Sequence, residues 1–227
     1  MRRITLDTET TGLNPSEGHR IVEIGCIELE ENIPTGKEWH SYVNPERSMP
    51  EAAFAVHGLS EEFLLKQPIF KDIATDFLNF INGAELVIHN AKFDIGFLNN
   101  ELKKIGSSTI NLNNTIDTVQ LAREKIPGAA ASLDALCKRF DIDLSIREKH
   151  GALLDAKLLA EVFLELTGGR QASLALTQKN IKKTYDNIKE EKEGLEGLRF
   201  PEVKLTEKDK EEHKEMLNKI NSPLWLK

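Results

Sequence analysis

Along the first 170 residues the spacing of apolar positions changes repeatedly, and each change marks an element. Ile4 to Leu6 reads as a short strand that runs into the turn-forming Thr11-Gly12-Leu13-Asn14-Pro15. Between Ile21 and Glu30, the apolar residues Ile21, Val22, Ile24, Cys26 and Ile27 fall on both parities, as in a strand covered on both faces. Trp39 to Val43 predicts a third strand, stopped by Asn44-Pro45. Over 69–82, Ile73, Ala74, Phe77, Leu78 and Ile81 recur at helical spacing, and Gly83 ends that helix. Leu86-Val87-Ile88 predicts another strand, followed by a helix over 92–104 that carries Phe93, Phe97, Leu98 and Leu102. Helical patterns return over 117–125 and 132–140. A last helix over 152–166 carries Leu154, Leu158, Leu159, Val162, Phe163 and Leu166 and stops at Gly168-Gly169. Strands first, then strands and helices in alternation, predict an α/β domain: a mixed sheet flanked by helices.

After Gly169 the pattern changes. Residues 177–221 are dominated by Lys and Glu, and no helical face there is wide enough to build a core. One charged helix, around Thr206–Ile220, is expected in a tail that its composition makes partly disordered. The tail closes on an apolar cluster, Pro223-Leu224-Trp225-Leu226. The reading is therefore a folded domain of residues 1–170 and a charged tail of residues 171–227.

Composition narrows the function classes. A chain of 227 residues can bury one substantial core. The net charge is −7, and it resides in the domain: residues 1–170 hold 18 Lys+Arg against 26 Asp+Glu. Such a domain is not built to coat nucleic acid. It can still meet a chain end if its carboxylates hold divalent cations. No apolar run approaches the roughly 20 residues that span a bilayer. Asp7 and Glu9 interrupt the stretch where an export signal needs its hydrophobic segment, so a cytoplasmic protein is expected, with no membrane partner. Cys26 and Cys137 are too few for a disulfide framework or a four-cysteine zinc site, and read as small core residues.

The candidate chemistry begins with Asp7 and Glu9. Two apart on a strand, they project to the same face beside a turn. Carboxylates this close repel unless a cation or a proton separates them, and hard oxygen donors suit Mg²⁺ or Mn²⁺ better than zinc. Taken alone, the pair reads as a solvated strand end. Asp94 falls at the start of the helix after Leu86-Val87-Ile88, where it could also serve only to stabilise the first turn. His150 precedes Asp155 by five residues. On one ideal helix the two would diverge by about 140°, so they converge only if His150 lies on the loop before Gly151 and Asp155 in the first turns.

Together these residues resemble the three motifs of the DEDDh exonucleases. Leu6-Asp7-Thr8-Glu9-Thr10-Thr11-Gly12-Leu13 is similar to the first, His89-Asn90-Ala91-Lys92-Phe93-Asp94 to the second, and His150-Gly151-Ala152-Leu153-Leu154-Asp155-Ala156 to the third. The resemblance covers residues 1–170 and implies a ribonuclease H-like fold. It implies stepwise hydrolysis from a 3′ end of single-stranded DNA, of the proofreading kind found beside bacterial replicative polymerases. Asp7, Glu9, Asp94 and Asp155 would hold two divalent cations, Mg²⁺ or Mn²⁺, about 4 Å apart. His150 would take the proton of the attacking water, a task suited to an imidazole whose ordinary pKa is about 6.5. By the same resemblance Thr8, Glu9, Thr10, Thr11 and Leu13 follow the strand where the terminal nucleotide lies, and Val56, His57 and Phe93 meet its sugar and base.

The tail adds one motif. Gln171-Ala172-Ser173-Leu174-Ala175-Leu176 resembles the short peptides by which bacterial proteins dock on the replication sliding clamp, with Gln171, Ser173, Leu174 and Leu176 as contacts. The family places docking to the polymerase III catalytic (alpha) subunit beyond it, and Leu224 and Trp225 suit such a contact. Two other readings stay open on sequence alone. One is an RNA-trimming or repair exonuclease of the same superfamily, which would not need docking segments. The other is a non-catalytic adaptor, against which the full set Asp7, Glu9, Asp94, His150 and Asp155 speaks.

Overall fold

The computed structural model describes residues 1–145, 149–168 and 206–218. Five strands form one sheet: β1 (Arg2–Thr10), β2 (Ile21–Glu30), β3 (Ile33–Tyr42), β4 (Glu85–Ile88) and β5 (Thr115–Asp117), in the order β3-β2-β1-β4-β5. β1 pairs antiparallel with β2 and parallel with β4, so it is the centre of a mixed sheet. The helices are α1 (Glu51–His57), α2 (Glu61–Leu64), α3 (Phe70–Ile81), α4 (Ala91–Lys104), α5 (Thr118–Lys125), α6 (Leu133–Arg139), α7 (Ala152–Leu166) and α8 (Glu207–Asn218).

The two faces of the sheet bury different sets. Ile4, Leu6, Ile24, Cys26 and Ile88 pack with Phe77 of α3 and Phe97 and Leu98 of α4. On the other face, Ile27, Leu29 and Val87 pack with Ala156, Ala160 and Phe163 of α7. A third cluster joins α5, α6 and α7 through Ala122, Leu136, Leu159 and Val162. Both cysteines are buried free thiols, and burial pushes the Cys26 thiol pKa up.

Several elements exceed the pattern that predicts them. β1 begins at Arg2 rather than Ile4, because its first charges are matched across the sheet. Arg2 Nε donates to Glu28 at 2.6 Å, and Arg3 Nε to Glu85 at 2.8 Å. β3 begins six residues before Trp39. Glu31 and Asn32 both take positive φ, 50° and 69°, the requirement of a tight two-residue hairpin turn, and they place Ile33 opposite Glu30. The first half of β3 is exposed, so no apolar alternation reports it. Helices α1 and α2 and the three-residue β5 are too short to show a period.

The chain divides into two units, Met1–Ser173 and Leu174–Lys227. Of the second, α8 and the residue before it are described. Thr206 and Asp209 form a reciprocal cap: the Thr206 N–H donates to Asp209 at 2.8 Å, and the Asp209 N–H to Thr206 Oγ1 at 3.2 Å. Residues 206–216 are all exposed. Among the described residues no helix is long and apolar enough to cross a membrane.

Candidate active site

The site is assembled at the end of β1. Thr5, Asp7 and Glu9 share one face of the strand, the face α7 covers, and Thr5 Oγ1 donates to the Ala156 carbonyl at 2.9 Å. Asp7 is paired in register with Gly25 of β2. A Cβ on Gly25 would lie 2.4 Å from the Ala152 carbonyl carbon, so only a glycine lets the start of α7 rest on the sheet. That close approach brings Asp155, in the first turn of α7, beside the β1 carboxylates. Asp155 is 4% exposed and Glu9 9%. His150 lies one residue before Gly151, the extended N-cap of α7, and its Nδ1 is 3.3 Å from Asp155 Oδ2. Ligand atoms of Glu9, His150 and Asp155 all lie within 4.8 Å of one another.

Asp94 arrives from the opposite layer. Asn90 precedes α4 at φ 69° without capping it, and Asp117, at the end of β5, takes over that task. Asp117 accepts from the Ala91 N–H at 3.1 Å and the Asn90 N–H at 3.3 Å, and also caps α5 through Val119 at 2.9 Å. One turn later Asp94, 2% exposed, accepts a 2.7 Å hydrogen bond from Thr8 Oγ1. The order in β1 is therefore carboxylate, clamp for the third carboxylate, carboxylate.

Burial in this cluster raises the carboxyl pKa values of Asp94 and Asp7. Burial pushes Asp94 up to about 7, although the Thr8 hydrogen bond pulls the other way. Asp7 is raised well above the carboxylate range by burial, then by the charges of Asp94, Glu9, Asp155 and Glu23. Oxygen donors that repel one another in a buried cluster fit divalent cations, which relieve the repulsion that protons otherwise relieve.

Beside the carboxylates lies a cavity of about 600 Å³. The eight residues expected to meet substrate, Thr8, Glu9, Thr10, Thr11, Leu13, Val56, His57 and Phe93, all line it. Three of the hydroxyls, however, are engaged within the protein. Thr8 holds Asp94, Thr10 Oγ1 donates to the Gly12 carbonyl at 2.6 Å, and Thr11 Oγ1 accepts from the Arg20 N–H at 3.0 Å. They shape the wall. The apolar surface of the cavity comes from Leu13, 85% exposed, and Val56, 48% exposed, with Phe93.

His57 is more specific. Its Nδ1 accepts the Leu59 N–H at 3.0 Å, so Nε2 carries the ring proton in the neutral form. Burial lowers its pKa and keeps it neutral, and Nε2 is buried without a protein partner. The residue is a hydrogen-bond donor with nothing yet to donate to.

Four further residues shape the site without a sequence motif of their own. His19 lines the cavity, 3.1 Å from Thr11 Oγ1, and its ring occupies the space a Cβ on Gly12 would take. Gly25 and Asp117 set the helix starts. Glu23 is buried opposite Glu9 and bonded to His40 Nε2 at 2.8 Å. Apart from the local cap of Asp117 on α5, these contacts join residues on separate elements, so spacing could not report them. The tail residues Gln171, Ser173, Leu174, Leu176, Leu224 and Trp225 lie outside the described residues.

The sheet order, the carboxylate cluster and the cavity have clear relatives. The exonuclease family model matches residues 4–163. DNA polymerase III subunit epsilon of Rickettsia prowazekii is 50% identical over 228 residues, 97% of each chain. The protein of the same name from Escherichia coli is 50% identical over 181 residues, 77% of this chain and 74% of that one. Among solved structures, exonuclease X in complex with 5′-overhanging duplex DNA superimposes with a TM-score of 0.58 at 25% identity, covering 73% of this chain and 90% of that chain. The nuclease domain of 3′hExo, a DEDDh member bound to rAMP, shares the fold with a TM-score of 0.64 at 16% identity, over 73% and 91% of the two chains. This is the ribonuclease H-like fold expected from the three motifs. Matched by the exonuclease model along most of its length and by epsilon subunits at half identity, the chain belongs to the exonuclease family, among the DEDDh 3′–5′ exonucleases that serve as DNA polymerase III epsilon subunits.

Proposed function

We propose that the protein removes nucleoside monophosphates one at a time from the 3′ end of single-stranded DNA, as the proofreader of a replicative polymerase. The observation that carries this reading is the convergence of Asp7, Glu9, Asp94, Asp155 and His150 beside a cavity walled by Leu13, Val56 and Phe93. Asp7, Glu9, Asp94 and Asp155 would hold two divalent cations, Mg²⁺ or Mn²⁺. When bound, the cations supply Lewis acidity and charge neutralisation at the scissile phosphate.

The protein's own residues do the rest. Leu13, Val56 and Phe93 grip the terminal nucleotide by apolar contact, which accepts any base, as proofreading requires. His57 Nε2–H donates to a sugar oxygen and so satisfies its buried donor. An Nδ1–H directed at Asp155 leaves His150 Nε2 with the lone pair that takes the proton of the attacking water. Asp94 keeps its place through Thr8, so the carboxylate cluster is preorganised before substrate arrives.

The partners follow from the relatives. The match to the Rickettsia prowazekii protein covers 97% of this chain, so most of the tail is shared with a protein named as a polymerase subunit. That supports docking of the tail to the catalytic (alpha) subunit through Leu224 and Trp225, and to the sliding clamp through Gln171–Leu176. The test of substrate and metal is direct. The purified chain is incubated with 3′-labelled single-stranded DNA or RNA of one sequence, in Mg²⁺, in Mn²⁺ or in EDTA. Release of mononucleotides from DNA that needs the cation is expected. Faster release from RNA, or undiminished release in EDTA, overturns the reading.

A further inference from the structure

The segment that delivers His150 is gripped by helix α1. Lys149 crosses Gly58, the left-handed C-cap of α1 at φ 74°. A Cβ on that glycine would come within 2.7 Å of Lys149 Cδ and 2.8 Å of its Nζ. The Lys149 ammonium stands 5.4 Å from the centroid of the Phe54 ring, one turn back on the same helix. Beside them the His150 N–H donates to the Val56 carbonyl, at 3.4 Å a long bond that fixes little alone. Phe54 is 40% exposed, so its ring face is available to a cation.

The same helix is a wall of the cavity through Ala52, Ala53, Val56 and His57. It is short, it has no side-chain cap at its start, and His57 is its one buried side chain. Little but its neighbours holds it in place. A nucleotide seated against Val56 presses on the helix that carries the Val56 carbonyl and packs against Lys149. We propose that Lys149, set over Phe54 and Gly58, is a positioning residue that couples filling of the cavity to the placement of His150. The proposal rests on the reading of His150 as the base.

The test uses the full chain with saturating Mg²⁺ and single-stranded DNA. Lys149→Met keeps the aliphatic stem and drops the charge; Phe54→Leu keeps apolar bulk and drops the ring face. Each should lower kcat about two- to fivefold, the range an exposed ammonium–ring contact supports, with KM nearly unchanged. The double variant should be no slower than either single one, since both remove one contact. Lys149→Arg should restore kcat, because guanidinium stacks on a ring as well as ammonium does. Unchanged kcat in both single variants overturns the coupling. So does a raised KM with steeper salt sensitivity in Lys149→Met alone, which assigns the lysine to a DNA phosphate. His150→Ala, measured alongside, separates the two readings: if it keeps the wild-type rate, the base assignment has failed and this coupling with it.

Discussion

The backbone of Leu153 packs directly on Gly25: a Cβ built on that glycine would lie 2.3 Å from the Leu153 nitrogen. The contact is backbone on backbone, so no side chain can swing aside to make room. It sets the distance between β2 and the first turn of α7, and with it the distance from Asp155 to Asp7 and Glu9. Gly25→Ala is expected to push the helix out, lowering stability by about 2–3 kcal/mol through overpacking and activity by at least about tenfold, since a small misplacement of catalytic groups is costly. Thermal melting and initial rates check it. An alanine variant with wild-type rate would show that α7 can settle elsewhere without harm to the site.

How much of this was legible in the sequence depends on whether a feature is periodic or paired. The span Ile21–Glu30 is read to the residue, because burial on both faces leaves apolar residues at both parities. The helix over 152–166 is equally plain, with Leu158, Leu159, Val162 and Phe163 all buried. β5 was not legible. It is three residues long and half-buried, and its importance lies in Asp117, which caps a helix 26 residues earlier. The metal-ligand candidates could be found because Asp7, Glu9, Asp94 and Asp155 fall in three motifs that resemble those of the DEDDh exonucleases; strand and helix geometry alone leaves them readable as a solvated strand end and first-turn acids. Gly25, His19 and Glu23 act through space, and nothing in their sequence surroundings distinguishes them from ordinary loop and strand residues.

The raised carboxyl pKa values set a pH dependence for the metal-free protein. Asp94 holds its proton up to about pH 7 when folded, whereas its ordinary value is 3.8. Between those values the folded state binds more protons than the unfolded chain, so this group's contribution to stability falls as pH rises and levels off above pH 7. Asp7, raised for the same reason, acts in the same direction. In EDTA, Asp94→Asn should therefore gain melting temperature relative to wild type as pH climbs from about 4 to 7, while losing activity altogether. Added Mg²⁺ or Mn²⁺ should shrink that gap by stabilising the wild type. A difference between the two proteins that is flat with pH would show that Asp94 is ionised without the metal.

Removing the proposed base should separate chemistry from binding. His150→Ala is expected to lose on the order of 10²–10⁴ in kcat, the usual contribution of a positioned base. KM for single-stranded DNA should change little, because the cavity walls are formed by other residues. The cation sites should also persist, since the carboxylates of Asp7, Glu9, Asp94 and Asp155 remain. Calorimetric titration with Mn²⁺ and single-turnover rates would measure both. A variant that keeps its rate demotes His150 to a bystander, and one that fails to bind Mn²⁺ makes it a ligand.

The last expectation concerns the tail. Among the described residues, every apolar side chain in the three core clusters lies between Ile4 and Leu166. The end of α7 is also closed locally: the Thr167 hydroxyl donates to the Phe163 carbonyl at 2.7 Å and accepts from the Asn32 amide at 3.2 Å, tying the helix end to the β2–β3 turn. A fragment of residues 1–169 should therefore fold and hydrolyse DNA as the full chain does. What it should lose is association with the polymerase catalytic subunit and, through Gln171 to Leu176, with the clamp. The physical reason is effective concentration. A tethered domain is held near the primer end at a roughly millimolar local concentration, so a chain of net charge −7 does not need strong DNA affinity of its own. Rates on free DNA should match between fragment and full chain, whereas removal of a mismatch by the assembled polymerase should slow only with the fragment. A melting curve and a pull-down with the catalytic subunit complete the test. Full-affinity binding by the fragment would place the docking surface on the nuclease domain, and a fragment that does not fold would extend that domain past Gly169.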